Sequence, residues 1–524
     1  MLFLRKPHLP LVAALALALV PVAAPPAAAA PAGADAGRRA LRTYAADTWR
    51  SMTAMVDPAT ALPADNIDGD LTPGSRSAYT SPTNIGGYLW STVVARDLKL
   101  ISSREATARL SATLDTLRRL RHHTDSGMYY NWYDPADGEV VRIWPETGAT
   151  ITPFVSSVDN GWLGAALLVV RGAVPSLRGK VDAVLRPMDF GFFYNPQARG
   201  AGQPGLIRGG FYDEEPAGCS VVGNYRDRGP DVWYTCNHYD ITVTEPRIAS
   251  YLGIAFGQIP REHYFAQWRT FPDTCDWSWA EQQPTGFTAT HLGVPVFEGS
   301  YVYQGIRFVP SWGGDMFEAL MPNLFVPEET WGPRSWGRNH PATVAGQIVH
   351  GMRDAGYGYW GFSPASDPFG TYREYGVDAM GMDTLGYASD VERSNYDAGF
   401  GECRPAGPAP DYGDGVVTPH AVFLALRYAP RAATANLARL KANFDAYGVG
   451  GFYDAVAVGS DTVARRYLAL DQGMILGALG NELAGDDIRK AFVTPQVARA
   501  LRPLMAMEEF NVPARQPVVE AVAR

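Results

Sequence analysis

Four cysteines in 524 residues are too few and too scattered to organise a metal centre. Cys219, Cys236, Cys275 and Cys403 form no CxxC pair and stand in no Cys/His cluster, which argues against a structural zinc site. The histidines include no HExxH pair, and no GxSxG elbow marks a serine nucleophile. Charge of either sign is sparse. The 45 Lys and Arg against 54 Asp and Glu leave a formal net charge of −9, with no basic stripe for a nucleic acid to grip. No fixed period recurs, which disfavours a solenoid, and beyond the N-terminal stretch no uninterrupted apolar run reaches membrane-spanning length.

What the N-terminus does contain is ordered like an export signal. Arg5 and Lys6 precede the apolar stretch Leu11 to Ala24, and an Ala/Pro tract runs from Ala27 to Ala34. Basic, apolar and small-residue segments in that order read as a cleavable secretory signal over residues 1–30. A membrane anchor fits less well, because Pro21, Pro25 and Pro26 break a run that is already short. The expectation is a secreted, extracellular monomer without stable membrane association. Export permits two disulfides among the four cysteines, in three possible pairings. Joining Cys219 to Cys236 closes a short loop and leaves Cys275 with Cys403.

Aromatic residues are plentiful, with 13 Trp and 26 Tyr. In an exported protein of low charge their faces suit stacking on the C–H faces of sugar rings, although most must serve the core. Helical periodicity dominates the chain. Leu41, Tyr44, Ala45, Trp49, Met52 and Val56 recur at three-to-four spacing across Gly37–Val56. Ser81 or Thr83 is placed to cap the next helix and Ser103 the third, and further helices are expected through Trp162–Val170, Glu245–Gly253, Asp315–Leu320, Thr418–Tyr428 and Tyr467–Leu479, among others. Long Gly, Pro and aromatic connections, Gly191–Asp240, Thr270–Val309 and Gly356–Pro410, carry function or short strands. About a dozen helices with such loops suggest an all-α toroid of paired helices in two concentric rings, with a cleft at one end.

Cutting a glycosidic bond takes two carboxyl groups, one to protonate the leaving oxygen and one to activate water or attack the anomeric carbon. Five places offer them among glycines and aromatics. Asp159 enters a helix before Gly161 and Trp162, with Trp132 and Tyr133 upstream as a sugar-binding rim. Glu245 follows Tyr239 and a long aromatic loop, with Thr244 as the expected cap and Pro246 in the first turn. Asp315 and Glu318, after Trp312, face one side of a helical turn. Asp454 follows Gly451-Phe452-Tyr453, a pattern echoed by Gly210-Phe211-Tyr212-Asp213, and Asp471 interrupts an apolar helix where a lone carboxylate would be costly. First-turn acids are equally a structural device for capping helices. The segment Asp65 to Asp70 resembles a calcium loop only at first sight, since its sixth residue is Asp70 and its twelfth is Arg76.

Taken together, several segments resemble a known family: Thr80–Gly86 with Ala95–Leu98, Val155–Gly161, Glu245–Tyr251 with Pro260–His263, Ser311–Leu324, Gly451–Ala455 and Asp471–Gly473. In this order, from about Leu62 to Glu508, they are similar to the glucoamylase-like domain of glycoside hydrolase family 144 endo-β-1,2-glucanases and of the C-terminal part of cyclic β-1,2-glucan synthases. The resemblance implies an (α/α)6 toroid over residues 36–510, followed by a tail over 511–524. It also implies catalysis without metal or cofactor and a β-1,2-glucan or related polysaccharide or oligosaccharide as substrate. It makes Glu245 the general acid and Asp454, Asp471, Glu318 and Asp159 the candidates for base, nucleophile or sugar positioning. Candidate sugar contacts are Trp132, Tyr133, Trp162, Tyr239, Trp312, Asp315 and Tyr453. The insert Phe362–Asp390 and the cysteine-bearing loops depart from the synthase pattern. Hydrolysis of an extracellular β-glucan by endo attack is the leading expectation. Transglycosylation or hydrolysis of another cell-envelope glycan, and glycan binding without catalysis, are the alternatives.

Overall fold

The computed structural model describes residues 32–276, 282–382 and 396–523. The expected signal at 1–30 and residues 383–390 of the insert lie outside the described residues. Helices carry the architecture. They are α1 (Ala32–Ala54), α2 (Pro82–Asp97), α3 (Ser103–Leu117), α4 (Ser157–Ala173), α5 (Arg178–Leu185), α6 (Arg247–Ala255), α7 (Met316–Leu320), α8 (Glu328–Trp331), α9 (Trp336–Val349), α10 (Pro419–Leu424), α11 (Pro430–Asn443), α12 (Ala469–Ala484), α13 (Asp487–Phe492), α14 (Pro495–Met507) and α15 (Pro517–Ala523). None of the described helices is long and apolar enough to cross a membrane.

Local chemistry sets the helix starts. Ser81, rather than Thr83, caps α2 by accepting from the Asn84 amide at 3.2 Å, ahead of Pro82 in the first turn. Ser102, one residue before the expected Ser103, caps α3 through the Glu105 amide at 3.1 Å, because Ser103 already has helical backbone. Each such cap contributes about 1 kcal/mol. Thr244 does not cap α6; its hydroxyl donates to the Glu318 carboxylate at 2.7 Å instead.

Packing follows a circuit. α2 lies on α4, α4 on α6, α7 on α10, α10 on α12, and α12 returns to α2. Arg247 of α6 ties on α7 by donating to the carbonyls of Glu318 and Ala319 at 2.6 and 2.7 Å. Trp90 of α2 fills the middle: its ring meets Phe325 at 5.2 Å and Trp162 of α4 at 6.4 Å, and its indole donates to the Gly473 carbonyl of α12 at 2.8 Å. Glycine permits these close approaches. A Cβ on Gly480 would sit 2.6 Å from Val94, so α12 can approach α2 only with hydrogen there.

The long connections hold small sheets of two to four strands. One is four-stranded and antiparallel, in the spatial order Phe154–Ser156, Gly210–Tyr212, Val232–Thr235, Ser220–Gly223. Cys219 and Cys236 are joined beside it, and Cys275 is joined to Cys403, the pairing expected from the short loop.

Candidate active site

Where the first turns of α4 and α6 meet the loops, the chain encloses a cavity of about 460 Å³. Acids line it: Asp65, Glu146, Asp159, Glu245, Glu318 and Glu374. Aromatic walls come from Tyr79, Trp132, Trp144, Phe317 and Tyr372, and among the described residues Arg466 is the one arginine in the lining.

Glu245 sits just before α6. Its Oε2 accepts from the Trp162 indole at 2.5 Å, and its backbone amide donates to Glu318 Oε2. Glu318 in turn accepts from Thr244 and has its own amide bound by the Asp315 side chain at 2.7 Å, the N-cap of α7. Burial, and then the neighbouring Glu318, push the Glu245 carboxyl well above the ordinary glutamate range. Burial also raises Glu318 to about 7, although Thr244 and the Glu245 amide pull it back. Asp315 is raised well above its usual range by burial and by Glu318. Arg247 is two residues from Glu245, yet its guanidinium turns the other way, to Glu328 at 2.8 Å.

Asp159 is half-buried in the cavity wall and accepts from the Thr83 hydroxyl at 2.6 Å. Asp65 accepts from Asn84 and Asn66 at 2.7 and 3.0 Å, and burial raises it. Behind the wall, Asp454 and Asp471 are each 2 % exposed. Asp454 Oδ2 accepts from the Ser366 amide at 2.6 Å, and Ser366 lines the cavity. Burial raises both aspartates, Asp471 further because of Asp454 beside it. His420 of α10 approaches Asp471 at 3.4 Å, and burial lowers its imidazole to about 3. Among the described residues, Asp454 Oδ1, Asp471 Oδ2 and both His420 ring nitrogens find no hydrogen-bond partner. One ligand atom from each residue lies within 4.8 Å of the others, so among the described residues these three can hold a metal ion or a water.

The candidate sugar contacts separate by position. Trp132 lines the cavity. Trp162 is fully buried and serves Glu245 rather than presenting a face. Tyr133 is also fully buried, its hydroxyl donating to the Arg121 carbonyl at 2.6 Å. Asp315 and Tyr453 are buried behind the lining, with Tyr453 packed on Tyr467. Tyr239 and Trp312 are half-buried and outside the lining residues. Sequence reasoning missed Glu146, Trp144, Tyr79 and Arg466, and passed over Asp65 after rejecting a calcium loop.

Residues 238–492 match the family described as "Putative glucoamylase". That stretch is a glucoamylase-like domain. Residues 43–192 match a second family, described as a protein of unknown function (DUF3131). A cyclic beta-(1,2)-glucan synthase of Rhizobium meliloti is 24 % identical over 92 % of the chain. The chain spans only 19 % of that relative's length. In fold the chain is similar to an endo-beta-1,2-glucanase from Chitinophaga pinensis (TM-score 0.61, 16 % identity, 89 % of this chain and 98 % of that one). It is likewise similar to an endo-beta-1,2-glucanase from Talaromyces funiculosus (TM-score 0.59, 12 % identity, 93 % of each chain).

Proposed function

We propose that the chain is a secreted glycoside hydrolase that cuts β-1,2-glucan by endo attack, built on an (α/α)6 toroid whose inner ring is the circuit α2, α4, α6, α7, α10 and α12. The observation that carries this reading is a glutamate whose carboxyl is pushed well above its ordinary range in an aromatic-walled, acid-lined cavity: Glu245, half-buried, bonded to Trp162 and beside Glu318. A carboxyl group that stays protonated near neutral pH is what a leaving sugar oxygen requires of a general acid. The likeness to β-1,2-glucanases and to the glucan synthase supports β-1,2 as the linkage. The two disulfides support export.

In this reading Glu245 protonates the glycosidic oxygen, and Glu318 fixes its backbone and keeps its proton on. Asp454 takes the proton of the attacking water. It shares one proton with Asp471, because two adjacent buried carboxyls do not both ionise. Asp159 and Asp65 hold sugar hydroxyls, and Trp132, Trp144 and Tyr372 hold ring faces. No step needs a metal, so activity is expected to persist in excess chelator even though His420, Asp454 and Asp471 are arranged to bind one.

The deciding experiment is a panel of linear β-1,2-, β-1,3-, β-1,4- and α-1,4-glucans, assayed for new reducing ends. Oligosaccharides from the β-1,2 chain alone are the expected result, and no product from any glucan overturns the reading. Similarity to a synthase favours one second reading, transglycosylation, which the same assay detects as products longer than the substrate or cyclic.

A further inference from the structure

The motif Gly210-Phe211-Tyr212 that echoes the Asp454 segment lies outside the cavity, in the four-stranded sheet. Strand alternation turns Val155, Phe211 and Tyr234 inward, where all three are fully buried. Their neighbours Phe154, Tyr212 and Trp233 are half-buried on the opposite face. The register sets these directly across from one another: Phe154 opposite Tyr212, Tyr212 opposite Trp233, and Trp233 opposite Val222, which is 58 % exposed. The Phe154 and Tyr212 rings are 5.0 Å apart. Gly210 makes room, since a Cβ there would fall 2.4 Å from the Phe154 ring.

The row begins at the cavity. Asn131 exchanges both backbone hydrogen bonds with Phe154, at 2.6 and 3.2 Å, and the next residue, Trp132, lines the cavity. A second tie is the ion pair of Arg142 with Glu214 at 2.7 Å, which joins the segment bearing cavity residue Trp144 to the turn after Tyr212.

We propose that Phe154, Tyr212 and Trp233 form a distal carbohydrate subsite that receives the glucan chain as it leaves the cavity. This rests on the glucan reading above. Two strand steps cover about 10 Å, roughly two pyranose rings in single file. Asp213, Glu214 and Arg142 beside the rings offer acceptors and donors for ring hydroxyls, as a sugar requires and an apolar partner does not.

The test measures binding by calorimetry in a Glu245→Gln background, so that the ligand survives. The probes are linear β-1,2-glucooligosaccharides, some confined to the cavity and some long enough to reach Trp233. Tyr212→Ala and Trp233→Ala should weaken only the long ligands, by about tenfold each, or 1.4 kcal/mol. Trp233→Phe should restore most of the loss, which a folding defect would not allow. Equal effects on all lengths, or none, overturn the subsite and leave the glucan reading standing. No binding at any length overturns the glucan reading and the subsite with it.

Discussion

Glu245, half-buried, and Glu328, fully buried, flank one arginine, and their carboxyls are shifted in opposite directions. Burial alone would raise Glu328, but Arg247 at 2.8 Å and His340 at 3.0 Å outweigh it and hold its carboxyl down at about 2. Tyr251 adds a hydrogen bond at 2.7 Å. Glu245, two residues from the same arginine, receives an indole and a second carboxyl as neighbours and is pushed the other way. The guanidinium's turn towards Glu328 therefore lowers that carboxyl, while Glu318 beside Glu245 raises the other. Burial by itself does not set the direction of the shift; the neighbouring charges do.

The comparison can be broken from the structural side first. Glu328→Gln leaves Arg247 buried without its counter-charge and is expected to destabilise the fold by about 3–5 kcal/mol, read by denaturant unfolding. Next in size, Asp454→Asn should lower kcat on β-1,2-glucan by about a hundredfold with little change in melting temperature, as loss of a general base does. Thr244→Val removes one donor from Glu318 and should lower kcat/KM by less than about tenfold. A pH dependence of opposite sign also separates the two glutamates. Glu318, raised to about 7, binds its proton more tightly in the native state, so its contribution to stability falls as pH rises from 4.5 to about 7. Glu328, lowered to about 2, stabilises fully above 4.5 and loses that contribution as pH falls towards 2. Melting curves of Glu318→Gln should lack the first slope, and those of Glu328→Gln the second.

Much of this was legible in local pattern. Three-to-four spacing marks the helices because each must bury one stripe, and Ser81, one of the two caps the sequence offers for α2, marks its start because a free helix end needs an acceptor. Glu245 stands out because it follows an aromatic loop at a helix mouth. What local pattern misses is convergence. Trp144 and Glu146 on one connection, Glu374 on another and Arg466 in a strand meet only when the helices close their circuit. Trp162 reads as a sugar platform in sequence, but its ring lies in the core and only its N–H reaches the site. His420, in an apolar helix, gives no sign that it faces Asp471.

Glu245 as the proton donor is the assignment on which the proposed chemistry turns. The most direct measurement is kcat/KM for linear β-1,2-glucan with wild type and Glu245→Gln, alongside their melting temperatures. A loss of about a thousandfold is expected, with the melting temperature unchanged or raised, since glutamine keeps the shape and loses only the proton. A variant that stays within about tenfold of wild type would contradict it.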